Sequence, residues 1–187
     1  MTRAWMYLPS LLVLVLGCLQ ACSSSAVLVT DGSVSTSVGI IPDDTHRMVT
    51  GVMVCTETGQ EVRIVDVRSK DAMNARIVDF FTTTNDAQDM LGGEAGSGDR
   101  YRSGDDDKLV SQKCDDEGDR ITQLAWVVET IRNGDIGYVS GLTIEWEPRS
   151  DPGNLATTYV PYVSGLCAKP RVGDDCEFDV ALPPPEG

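Results

Sequence analysis

Glu145 and Glu147 flank Trp146, and Glu129 lies shortly before them; these carboxylates are the first residues of the 187-residue chain that could do chemistry. A pair of carboxyl groups either side of a glycosidic bond divides the work of acid and of base or nucleophile, which would make the protein a glycoside hydrolase. An acidic sequence offers such pairs anywhere and spacing alone gives no distance between them, so this is the second alternative and no catalytic residue is assigned. His46 follows Asp43 and Asp44, the order of a base with an orienting carboxylate. A nucleophile needs a strained or pocketed setting, however, and no Gly-x-Ser-x-Gly elbow accompanies it. His46 reads as a solvated turn residue, and catalysis is the minority reading.

Metal chemistry has two forms to weigh. "SGDDDK" (Ser103–Lys108), "CDDEGD" (Cys114–Asp119) and "GDDCEFD" (Gly173–Asp179) gather hard oxygen ligands in glycine-bearing loops suited to calcium. Asp105, Asp107, Asp115 and Asp119 are the candidate ligands. None of the three keeps the EF-hand register, because the terminal glutamate is missing, and a solvated charge run is the competing reading. Zinc is disfavoured: Cys55, Cys114, Cys167 and Cys176 contain no Cys-x-x-Cys pair, and His46 is the single histidine. No cofactor is expected; calcium is the one ion for which ligands are named. Tyr138, Trp146 and Tyr162 lie on repeated strand-like segments where an aromatic platform for a sugar could form, although aromatics at repeated inward positions also build cores.

The cysteines also report the compartment. Arg3, the apolar run "LPSLLVLVLG" and "LQACSSS" read as a charged start, a hydrophobic stretch and a small-residue cleavage site. The stretch Leu8–Leu19 falls short of the about 20 residues that a membrane-spanning helix needs. "LQAC" (Leu19–Cys22) resembles the bacterial lipobox, with Cys22 as the lipidated residue. "VLGC" (Val15–Cys18) is a rival, but cutting there leaves an odd number of cysteines, whereas cutting before Cys22 leaves four that can pair completely. Residues 1–21 are then a signal peptide, 22–36 a tether, and the protein a lipid-anchored component of a bacterial cell envelope. Plain secretion, with cleavage after Ala26, is the alternative. Four cysteines in an oxidising compartment favour disulfides, in any of three pairings.

Charge excludes one class of partner. The chain carries 15 basic against 29 acidic residues, a net −14, and the signal region removes only Arg3. Nucleic acid is a poor partner for a surface without clustered Lys and Arg.

The elements that must position these residues are strands. "YVSGL" occurs at Tyr138–Leu142 and again at Tyr162–Leu166, with "MVTGV" at Met48–Val52 as a near relative. Period-two alternation places Tyr138, Ser140, Leu142, Ile144 and Trp146 on one face, Met48, Thr50, Val52 and Val54 on another, and Tyr162, Ser164 and Leu166 on a third. "RITQLAWVVE" (Arg120–Glu129) sets Ile121, Gln123 and Ala125 opposite Thr122, Leu124 and Trp126. "EVRIVDVRS" (Glu61–Ser69) alternates as well, and "ARIVDFF" (Ala75–Phe81) fits a strand or a short helix. Turns punctuate the chain at "TETGQ", "DDEGD", "RNGD" and "SDPGN". Thr82–Lys108 reads as a long polar surface loop. The expectation is a single all-β domain over 37–180, carrying the polar insert 82–108, with a proline-stiffened tail at 181–187. The recurring glycine at Gly51, Gly141 and Gly165 suggests related ribbons stacked about an axis.

Asp43-Asp44-Thr45, Thr50-Gly51-Val52 and Cys55, followed by "KCDDEGDRITQLAWVVE" (Lys113–Glu129) and "NGDIGYVSGLTI", resemble the signature of the vitelline membrane outer layer protein I family. The resemblance covers Pro42–Cys55 and Cys114 to about Glu147, under a third of the chain. It implies a β-prism, three antiparallel sheets in pseudo-threefold arrangement, with a β-sandwich as the alternative. It also implies the pairings Cys55 with Cys114 and Cys167 with Cys176. Jacalin-type lectins have a similar prism shape. The function expected from sequence is therefore a non-catalytic, lipid-anchored envelope protein that binds glycans or other surface components. The alternative is a structural or protein-interaction module whose contact surface is the acidic insert.

Overall fold

The computed structural model describes residues 26–30, 35–41, 46–86, 91–102, 108–116, 120–131 and 136–168. The signal region 1–21, Cys22, Asp105, Asp107, Asp119, Cys176 and the tail 181–187 lie outside them. In chain order the strands are β1 (Leu28–Thr30), β2 (Ser35–Ile41), β3 (Arg47–Thr56), β4 (Val62–Met73), β5 (Ala75–Asp86), β6 (Glu94–Ala95), β7 (Leu109–Val110), β8 (Arg120–Thr130), β9 (Gly137–Pro148) and β10 (Ala156–Ala168). A 3-10 turn at Asp99–Tyr101 is the helical element among the described residues, and no helix there is long and apolar enough to cross a membrane.

The all-β expectation holds. The described strands form two sheets, not the three of a prism: one in the order β1-β3-β8-β5 with β6 also on β3, the other in the order β2-β10-β9-β4-β7. Pairing is antiparallel throughout except for β2 alongside β10. The sheets lie face to face over one core, the layout of a β-sandwich. The first sheet contributes Met48, Val52, Val54, Leu124, Trp126 and Val128; the second contributes Ile64, Val67, Leu142, Ile144, Trp146 and Leu166. The chain passes repeatedly from one sheet to the other, and two of these crossings join long strands of the core. Asn74, with φ +47°, carries β4 of the second sheet into β5 of the first, and β8 hands over to β9 in the opposite sense. Asparagine tolerates that left-handed conformation better than other side chains do.

Alternation predicts the inner face of β3 correctly, since Met48, Thr50, Val52 and Val54 are all buried, as are Tyr162, Ser164 and Leu166 of β10. It fails in the first half of β9. Gly141 has φ +60°, and opposite it the β10 register slips between Val160 and Val163. A bulge of this kind puts two residues against one and turns the side-chain alternation over. Val139 consequently enters the core with Leu142, Ile144 and Trp146, while Tyr138 stays half-buried.

The repeated pentapeptide is not a repeated unit. Its two copies are neighbours running in opposite directions, Tyr138 opposite Gly165 and Val139 opposite Ser164. The three marked glycines also serve different ends. Gly51 lies flat against β8, where an added Cβ would stand 2.9 Å from the Leu124 carbonyl oxygen. Gly141 adopts the left-handed conformation at the bulge, and Gly165 is paired on both sides, with Tyr138 and with Val38. Two further expectations change. Part of the supposed tether is β1, which pairs with Val54–Thr56 and buries Ala26 and Leu28 near its start. "ARIVDFF" resolves as strand, and β5 runs on through Asp86, so the insert begins as sheet with Thr82 and Thr83 buried.

Candidate functional site

β8 is apolar on both faces. Leu124, Trp126 and Val128 point into the sandwich, while Ala125 and Val127 point outward beside Val49 of β3 and Phe81 of β5. An outward apolar row on a sheet needs a cover, and the insert supplies it. Leu91 joins Val49, Phe81, Ala125 and Val127 in a second buried cluster, with Tyr101 packed against its rim. Leu91 is also held through its backbone, whose N–H donates to Gln123 Oε1 at 3.1 Å, and the same oxygen accepts from Asn85 Nδ2 at 3.2 Å. The Arg102 guanidinium lies 4.5 Å from the Phe81 ring centroid and pairs with Asp79. Gly98, at φ +75°, lets the chain pass directly over the patch; a Cβ there would be 2.9 Å from both Phe81 Cζ and Val49 Cγ2.

The same outward face continues past the cover. Met53 and Ile121 are half-buried, and together with Val29 and the Cys55–Cys114 bridge they line an open groove of about 250 Å³ with Lys113 at its rim. The bridge, with Cα atoms 4.9 Å apart, ties the end of β3 to the segment that leads out of the insert into β8. Backbone bonds reinforce it: Thr56 N–H donates to Gln112 O at 2.8 Å, and Cys114 N–H donates to Thr56 O at 3.1 Å. The Cys55 and Cys114 pairing is the one that the family resemblance implies. Cys167 is disulfide-bonded as well, but Cys176 lies outside the described residues.

The aromatic residues named as a sugar platform do not share a surface. Tyr162 is 3% exposed, its hydroxyl 2.9 Å from Thr50 Oγ1, and its ring packs edge-on to Trp126 with centroids 4.9 Å apart. Trp146 is 5% exposed and donates from Nε1 to Thr158 Oγ1 at 3.0 Å. Tyr138 is turned away from both and donates to Asp71 Oδ2 at 3.3 Å. Burial, with the nearby Asp71 carboxylate, raises its phenol above the ordinary value. Alternation set Tyr138 on the same face as Trp146; the reversal at Gly141 turns Tyr138 out while Trp146 and Tyr162 stay in the core.

The carboxylates are likewise apart and engaged. Glu129 stands in the first sheet between two arginines, accepting from Arg76 at 2.8 Å and from Arg47 at 2.9 Å. Its carboxyl is held below the usual range, Arg76 being the larger cause and Arg47 the next. Glu145 lies on the outer face of the second sheet and accepts from Arg68 at 2.7 Å, while Glu147 accepts from the Gly153 backbone at 2.7 Å. Asp115, the described member of the calcium set, pairs with Lys113 at 2.5 Å, and that contact lowers its carboxyl. Among the described residues no three metal-ligating side chains converge. His46 is half-buried, and its backbone carbonyl accepts from Thr130 N–H at 2.9 Å.

Sequence reasoning missed Gly98, Phe81, Leu91 and Arg102. Their signal was faint: one leucine, one tyrosine and two arginines inside a polar, glycine-rich stretch.

No family model matches the chain, and no curated protein does. Among solved structures, the chain is similar to the ASH / PapD-like domain of human CEP192 (PapD-like domain 7), with a TM-score of 0.38 and 7% identity over 91% of this chain and 99% of that one. It is also similar to the N-terminal domain of PorA, with a TM-score of 0.34 and 15% identity over 78% of this chain and 99% of that one.

Proposed function

We propose that the protein is an exported interaction module, anchored to a membrane through acylated Cys22, which grips a segment of another envelope protein on the outer face of its first sheet. The observation that carries this reading is the asymmetry between the two outer faces. That of the second sheet presents Arg63, Arg68, Glu145 and Glu147, as a solvated sheet face does. That of the first sheet carries an apolar patch of Val49, Phe81, Ala125 and Val127 between the Arg47–Glu129–Arg76 ion pairs and Gln123, and the insert covers this patch. Beyond Gln123, the groove beside Met53 and Ile121 is open among the described residues. Its volume suits one or two apolar side chains rather than a whole domain. The acidic insert, with seven carboxylates against three basic residues in Thr82–Lys108, favours a partner segment with flanking Lys or Arg.

Binding of this kind needs two sheets and a docked insert, not the third sheet implied by the vitelline membrane outer layer protein I resemblance. Glycan binding through Tyr138, Trp146 and Tyr162 would require the sandwich to open, because two of the three are core residues.

A photo-crosslinking residue at Ile121, compared with one at Thr143 on the opposite outer face, tests the proposal in cells. A discrete protein adduct from position 121 alone is expected. Equal labelling from both positions, or selective sugar binding on a glycan array with no adduct from 121, overturns it. Intact mass of the membrane-extracted protein tests the anchor: an acylated chain beginning at Cys22 is expected, and an unmodified chain beginning after Ala26 refutes it.

A further inference from the structure

The hairpin that joins β9 to β10 carries an exposed Asp–Pro bond at Asp151–Pro152, bounded by two successive turns. Asp151 N–H donates to Pro148 O at 3.0 Å, closing the first turn, and Asn154 N–H donates to Asp151 O at 3.3 Å, closing the second. Pro152 and Gly153, the latter at φ +91°, occupy the middle positions of the second turn in the manner of type II. Asn154 acts twice: its side-chain Nδ2 also donates to Asp151 Oδ2 at 3.0 Å. One residue therefore holds the Asp151 carboxyl and polarises the Asp151 peptide carbonyl at the same time, keeping both groups on one side of the chain.

We propose that Asp151–Pro152 is an acid-triggered self-cleavage site that the folded hairpin holds ready to react. In the protonated form, a carboxyl oxygen of Asp151 attacks the Asp151 peptide carbonyl carbon. A C–O bond forms, closing a five-membered cyclic anhydride, and the C–N bond to Pro152 breaks. The carboxyl proton goes to the departing Pro152 nitrogen, which leaves as a secondary amine. Water then opens the anhydride, so the net change is the addition of one water, giving a chain that ends at Asp151 and a second that starts at Pro152. Asn154 N–H stabilises the negative charge that develops on the carbonyl oxygen, and the held carboxyl removes much of the orientational cost of the attack. A proline nitrogen is a better leaving group than other backbone nitrogens because it is a more basic, tertiary amide nitrogen.

Cleavage would not release β10 at once. The strand stays bonded to β9 on one side and to β2 on the other, so the nick is silent until the protein is denatured.

The test holds the full chain in mild acid and follows it by mass measurement under reducing, denaturing conditions. The folded protein is expected to yield the fragment Pro152–Gly187 about tenfold faster than the same chain in denaturing urea, the gain coming from held geometry. Asn154→Ala, which keeps the backbone N–H and loses the side-chain hold, is expected to fold and to cleave at a rate between those of the folded and the denatured natural chain, while Asp151→Asn is expected not to cleave. A folded protein that cleaves no faster than the denatured one, or an Asn154→Ala variant that keeps the fast rate, overturns the proposal. Backbone amide exchange across β9 and β10 verifies that each variant retains the hairpin.

Discussion

Substituting Gly98 by alanine tests whether the insert is built onto the first sheet. The backbone there has φ +75°, and the new methyl would stand 2.9 Å from Phe81 Cζ and 2.9 Å from Val49 Cγ2. A left-handed conformation costs a residue with a Cβ about 1–2 kcal/mol. Overpacking adds about 1–3 kcal/mol, because Phe81 and Val49 are 0% and 1% exposed and have nowhere to swing. Against this stands the burial of Val49, Phe81 and Leu91, at about 1.5–3 kcal/mol each, an upper estimate because the unfolded chain already hides some of that surface. The patch outweighs the clash, so the insert stays docked on average but opens more often. At tenfold per 1.4 kcal/mol, opening rises by about 30-fold or more. Hydrogen exchange over residues 91–102 reads this directly, with β9 and β10 as internal references. Gly92→Ala is the control: a Cβ there meets nothing within 4 Å, and its effect is expected to stay within about 0.5 kcal/mol. Exchange in Gly98→Ala within twofold of the natural chain, or equal opening in Gly92→Ala, would refute the docking geometry.

Replacing Cys55 and Cys114 together by alanine removes a cross-link between residues 59 apart. It is expected to lower unfolding stability by about 4 kcal/mol in the chain-entropy estimate, measured by urea titration without reductant so that the Cys167 bridge stays intact. Tyr162→Phe strands the Thr50 hydroxyl in the core and is expected to cost about 1–3 kcal/mol. Thr50→Val with Tyr162→Phe is expected to recover part of that loss, and strict additivity in the double-mutant cycle would refute the buried pairing. Glu129→Gln addresses the ion-paired carboxylate. Its depressed folded pKa means that its contribution is present above the unfolded value of about 4.3 and is lost as pH falls through the folded value. The variant is expected to be less stable by about 1 kcal/mol at pH 7, and the difference should close in acid. A gap that persists at low pH would contradict this assignment.

Much of the site lay in plain view without being recognisable. β8 reads as apolar on both faces in "ITQLAWVV", which says that something must cover the outer one, but the cover comes from a stretch whose composition reads as solvent-exposed loop. Leu91 and Tyr101 are individually ordinary there, and Gly98 gains meaning only because Phe81 and Val49 lie beneath it. The aromatic residues failed as a sugar site for a related reason. Period two put Tyr138 with Trp146, a grouping that the reversal at Gly141 breaks, and the facing sheet leaves Trp146 and Tyr162 dry.

The sequence by itself determined that the chain is all-β, where most strands run, and the inner faces of β3 and β10, because these follow from local alternation and turn chemistry. Only the tertiary structure decided that the sheets number two among the described strands, that the copies of "YVSGL" are antiparallel neighbours, and that an apolar patch on an outer face is capped by the insert, with a groove beyond Gln123. Those outcomes rest on pairing and burial between residues far apart in the chain, and on a bulge at Gly141 that reverses the alternation from which a strand is read.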